Sequence, residues 1–143
     1  MSRLPLVLGF VLLAVGVVAT GCGKSEEKDK EQASRACPPA PAALGGTPSL
    51  PSGFPTPSQV TYTASKKAGP ASIAGGYYQG DIDAAFSSYT DALKGASGYN
   101  VTHSEHEAVD AEVNFAGHGQ SGQVKLLQGC KDRTRVTITS RPQ

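Results

Sequence analysis

The chain has 143 residues, 13 basic against 12 acidic side chains, three cysteines and no tryptophan. So even a balance carries no electrostatic footprint for nucleic acid and none for a peripheral grip on anionic lipid. The length allows one domain with one modest core once the N-terminal segment is set aside.

Met1-Ser2-Arg3 supplies a positive start, Leu4 to Val18 carries no charge, and Ala19-Thr20-Gly21 brings small residues up to Cys22. An apolar run of about 15 residues is short of the roughly 20 that span a bilayer, and small residues at its exit suit a signal peptidase. Residues 1–21 therefore read as a processing segment, and even an uncleaved anchor helix would place the chain after Cys22 outside the cytoplasm. The arrangement Ala19-Thr20-Gly21-Cys22 resembles the lipobox of bacterial lipoproteins. That resemblance implies a diacylglycerol thioether on Cys22, cleavage before it, an acylated (palmitate-type) N-terminus and an extracytoplasmic location, at the outer membrane where the cell has one. Two or more acyl chains anchor stably where one does not. Loss of residues 1–21 removes Arg3 and leaves twelve charges of each sign.

From Gly23 to Arg35 the chain mixes charges and has no Leu, Ile, Val or aromatic residue, so it reads as solvated, with Glu26 and Lys30 spaced to favour a transient helix. Seven prolines between Pro38 and Pro57 favour extended polyproline II. Residues 22–57 are thus expected to be a lipidated tether, and Phe54 marks where the fold begins. With Cys22 lipidated, Cys37 and Cys130 remain. Outside the cytoplasm two such cysteines are most economically a disulfide, which would fasten the proximal stalk to a turn at Cys130.

Residues 58–143 show the periodicity of a fold. Val60, Tyr62 and Ala64 alternate with threonines, and Ile73, Gly75 and Tyr77 alternate likewise, giving two strands with those residues inward and a turn at Lys66–Pro70. Between Asp81 and Lys94 the period becomes helical, with Ile82, Ala85, Phe86, Tyr89, Ala92 and Leu93 on one stripe, Asp81 at the N-cap and Gly95 or Gly98 at the end. Four further strands come after the helix: one from Tyr99, one over Val109–Phe115, one over Gly122–Leu126 and one around Val136 and Ile138. Their alternation points to an antiparallel sheet with one wet face. The expected architecture is α+β, a single helix packed on one face of an antiparallel sheet in the order ββαββββ.

Three patterns carry candidate chemistry. His103, Glu105, His106 and Glu107 offer imidazole and carboxylate ligands in one segment, and a strand would put His103, Glu105 and Glu107 on one face as a candidate metal site. Gly117 to Gly122 spells G-x-G-x-x-G, but a strand comes next instead of a phosphate-binding helix, so it reads as a hairpin connection. His118 and Ser121 lack an acid to complete a hydrolase triad. Tyr78, out of phase with Tyr77, is the candidate exposed aromatic contact. The chemistry implied is that of a non-enzymatic envelope module without cofactor, binding an envelope protein or a small ligand through the wet face or its loops. The alternative is metal or small-ligand binding through His103–Glu107.

Overall fold

Six strands pair antiparallel throughout in one sheet. The computed structural model describes residues 23–143; the expected signal segment, residues 1–21, and Cys22 lie outside the described residues. In chain order the elements are α1 (Gly23–Ser34), β1 (Val60–Ala68), β2 (Ala71–Gln79), α2 (Ile82–Gly95), β3 (Tyr99–His106), β4 (Asp110–Gly117), β5 (Gln120–Cys130) and β6 (Arg133–Pro142). Across the sheet the order is β1-β2-β6-β5-β4-β3. Because the last strand inserts between β2 and β5, the connection from β2 must travel to the opposite edge, and α2 makes that journey over one face. The α+β architecture stands, but the single helix does not. α1 precedes the sheet, so the full order is αββαββββ. Its lysines, glutamates and alanine are good helix formers, and the chain there is both solvated and helical, with Glu31 paired to Arg35 across its last turn at 2.6 Å. Among the described residues no helix is long and apolar enough to cross a membrane.

The expected phases of β4, β5 and β6 hold. Ala111, Val113, Phe115, Val124, Leu126, Val136 and Ile138 are buried under α2, against Ile82, Ala85, Tyr89 and Leu93. Each large apolar side chain so buried contributes about 1.5–3 kcal/mol. Asp81 caps α2, its Oδ1 accepting from Ala84 N at 2.8 Å. A second cap was not legible: buried Gln128 on β5 accepts from Ile82 N at 2.6 Å and donates through Nε2 to Cys130 O. α2 stops at Ala96, which is extended, and the left-handed residue comes two places later at Gly98 (φ 80°).

β2 is in the opposite phase from the one expected. Ala74 and Tyr78 face α2, while Gly75 and Tyr77 lie on the wet face. The segment ASIAGGYYQ has apolar residues in both phases, so alternation could not choose. Core packing chose, by burying the small Ala74 in the core and letting the Tyr78 hydroxyl meet Ser88 Oγ of α2 at 3.0 Å. Tyr78 is 4 % exposed, which removes it as a surface contact. In β1 a register shift between Tyr62 and Ala64 turns Ala64 outward.

The Pro-rich segment lies on the sheet. α1 already lies beside β5, and Arg35 just after it accepts through its carbonyl from Lys131 N at 2.9 Å. Cys37 and Cys130 are disulfide-bonded with alpha carbons 5.1 Å apart. Leu44 N then donates to Tyr62 O on the edge strand at 2.7 Å, and Ser49 N donates to Ser65 Oγ at 2.8 Å. Beyond that the chain turns into the core. Phe54 stacks edge-on to Tyr99 at 5.8 Å and tilts over Phe115 at 5.0 Å, and the Tyr99 hydroxyl donates to Ser52 O at 2.7 Å. Residues 35–57 are thus a strap on the fold, and the expected boundary at residue 58 falls inside one packed unit. Proline suits such a strap: it forms no ladder hydrogen bonds of its own and loses little entropy when it docks.

Candidate ligand groove

Where the strap crosses the wet face it leaves a groove of about 340 Å³. Its floor is the glycine pair Gly75-Gly76 of β2, which has no side chains to fill it. Pro38 and Pro41 of the strap form one wall, and Tyr77, Arg133 and Arg135 form the other. Thr63 and Thr137 add hydroxyls. The residues of β6 reach the groove because 133, 135 and 137 share the phase opposite to the buried Thr134, Val136 and Ile138. The disulfide makes the wall, since Cys130 lines the groove and its partner immediately precedes Pro38.

Two guanidinium groups thus flank a mainly apolar slot. Arg133 stands 5.2 Å from the Tyr77 ring centroid, in cation–π contact, and donates through Nη1 to Pro38 O at 3.0 Å. Its Nε is buried without an acceptor. Among the described residues neither Arg133 nor Arg135 is ion-paired with a carboxylate. Pockets of this size, mostly apolar with a few convergent polar groups, are the usual form of small-molecule sites.

Further along the same face several polar side chains are paired with one another. Gln123 donates to Glu112 and Asn114 at 2.9 and 3.2 Å, and Lys125 meets Glu112 at 3.0 Å and Asp110 at 3.6 Å. The Glu112 hydrogen bond, with the Asp110 charge behind it, holds the Lys125 ammonium above the ordinary lysine range.

The His103–Glu107 segment does not converge. His103 and Glu105 share the wet face and contact each other at 3.1 Å. His106 is on the helix side, 3.0 Å from Asp83 Oδ1 and stacked at 4.8 Å on Phe86. Glu107 lies past the strand end and bonds backbone to backbone with Asp110. Strand alternation separates adjacent ligands onto opposite faces, and among the described residues no three His, Cys, Asp or Glu side chains cluster as a metal site. His118 and Gly119 form the two-residue turn between β4 and β5, with φ of 50° and 71°, the twisted turn type that hairpins favour. His118 Nε2 lies 3.1 Å from Ser97 O and its ring 4.9 Å from that of Tyr99, while Ser121 sits in β5 opposite Ala116; the two do not form a dyad.

The residues that sequence reasoning missed are Tyr77, Arg133 and Arg135. Alternation in β6 did place Arg135 outward, but which part of the wet face would be roofed depends on the path of the strap. A search of protein-family models, of curated proteins and of solved structures finds no match to this chain.

Proposed function

We propose that this protein is a lipid-anchored envelope lipoprotein whose domain binds a small molecule in the groove between its proline strap and the wet face of its sheet. The observation that carries the binding half is the groove itself, a preformed slot with a glycine floor, a stapled wall and unpaired guanidinium groups. Arginine and threonine side chains hold ligands and do not shuttle protons at neutral pH, which favours binding over catalysis. The anchoring half rests on the Arg3-to-Cys22 segment: Cys22 carries the lipid, the acyl chains seat the protein on the extracytoplasmic face of the membrane, and the chain next to Cys22 links the lipid to the domain. The absence of an Asp directly after Cys22, where Gly23 stands, favours the outer membrane in a cell that has two.

The test is native mass spectrometry of the full chain extracted from its membrane in mild detergent. A Cβ on Gly75 meets nothing nearer than the Ala64 methyl at 4.0 Å, so Gly75→Leu fills the groove without breaking the floor. A small-molecule adduct is expected on the wild type, lost in Gly75→Leu and retained in Lys94→Leu at the far end of α2. An adduct equally abundant in all three, or none on the wild type, refutes the groove as the binding site.

A further inference from the structure

Arg133 is committed on one edge and open on another. Nη1 is committed to the Pro38 carbonyl at 3.0 Å, and the Tyr77 ring packs 5.2 Å from the guanidinium carbon. Nε is buried without an acceptor and is closed to a ligand, whereas Nη2 is neither buried nor bonded, and no acidic side chain among the described residues reaches the group. Nη2 is therefore the donor of Arg133 that a ligand can reach, and a charged donor of this kind bonds most strongly to a carboxylate. Arg135, opposite Tyr77 on the neighbouring strand, brings a second positive charge to the same slot. The rest of the lining is flat and apolar: the Tyr77 ring, the Pro41 ring and the bare backbone of Gly75 and Gly76.

We infer that the groove takes a small organic carboxylate, with the carboxylate between Nη2 of Arg133 and the guanidinium of Arg135 and a flat apolar body between Tyr77 and the strap prolines. This rests on the reading of the groove as the binding site. The size of the slot, at the lower end of the range for small-molecule sites, suits a compact acid. A flat acid also has apolar surface to bury against the lining, which inorganic phosphate lacks.

The experiment is nitrogen-detected NMR of the full chain, isotope-labelled and held in zwitterionic micelles. The probes are phenylacetate, its uncharged counterpart phenylacetamide, and inorganic phosphate. Phenylacetate is expected to shift the Arg133 Nε–H and Tyr77 amide signals saturably, with an affinity at least tenfold above that of phenylacetamide and above that of phosphate. Arg133→Lys keeps the charge but loses the planar guanidinium that bonds Pro38 and a ligand at once, and is expected to bind phenylacetate at least tenfold more weakly with the other amide signals unmoved. The comparison of acid with amide needs no variant, so it stands even if that substitution disturbs the fold. Equal affinity for acid and amide at the groove overturns the carboxylate inference while leaving the groove as a site, and so does tighter binding of phosphate. Failure of all three probes to move Arg133 or Tyr77 overturns both.

Discussion

Cys130, at the end of β5, is bonded to Cys37 across 93 residues of chain with 5.1 Å between alpha carbons, and this bond determines where Pro38 stands over Arg133. Closing a loop that long contributes about 4–5 kcal/mol in the chain-entropy model of disulfide stabilisation. The purified protein should therefore show no free thiol in Cys37 or Cys130 when denatured without reductant, and reduction should lower its melting temperature by several degrees. Two labelled thiols, with melting indifferent to reductant, would contradict the staple. Reduction should also release the wall of the groove, so ligand affinity should fall together with stability.

Phe54 separates a docked strap from a loose tether. It is 9 % exposed and packs on Tyr99 and Phe115. Phe54→Ala should cost about 3–5 kcal/mol, read as a lower denaturant midpoint at constant slope. On a free tether the same change would cost nothing, so an unchanged midpoint counts against a docked strap.

The core has an alkaline limit. Burial pushes the Tyr89 hydroxyl far above its ordinary value of 10.0, with the neighbouring Tyr62 hydroxyl adding to the shift, and burial raises Tyr62 as well. Both phenols are raised in the folded state, so the unfolded chain loses these protons first. The stability they contribute is complete below pH 10 and declines as the pH climbs from the unfolded value towards the folded ones. Melting temperature should be flat up to that point and fall above it. The buried Tyr89 hydroxyl has no well-formed hydrogen bond, its polar neighbour being the Tyr62 hydroxyl, so Tyr89→Phe should change stability by no more than about 1 kcal/mol at pH 7 and should soften the alkaline decline. A decline equally steep in the variant would show that Tyr89 is not its source.

Anchoring is tested at Cys22. In cells fed radiolabelled palmitate the wild type should incorporate label and partition with membranes, and Cys22→Ala should do neither, accumulating as precursor or soluble species. Equal labelling of the variant would end the lipoprotein reading.

Much of the fold was legible because alternation and helical periodicity report which side chains are buried, and β4, α2, β5 and β6 each have one clearly apolar phase. Val124 and Leu126 alternate with Gln123 and Lys125, so only one orientation of β5 buries a core. β2 was ambiguous for the same reason in reverse: Tyr77 and Tyr78 occupy both phases, and only the burial of Ala74 and the contact of Tyr78 with Ser88 of α2 decided between them. The metal candidate failed on a strand end that spacing cannot show: β3 stops at His106, so Glu107 leaves the face that His103 and Glu105 share.

By itself the sequence determined the signal-like start, the pair of cysteines left to bond and the α+β class, because each is a local property of composition or period. The tertiary structure decided the course of residues 35–57. Proline composition predicts an extended chain but not what it lies against, and docking depended on long-range events: a disulfide to Cys130, an edge hydrogen bond to Tyr62 and the insertion of Phe54 between Tyr99 and Phe115. The groove with Arg133 is a consequence of that path, so no reading of β6 alone could have disclosed it.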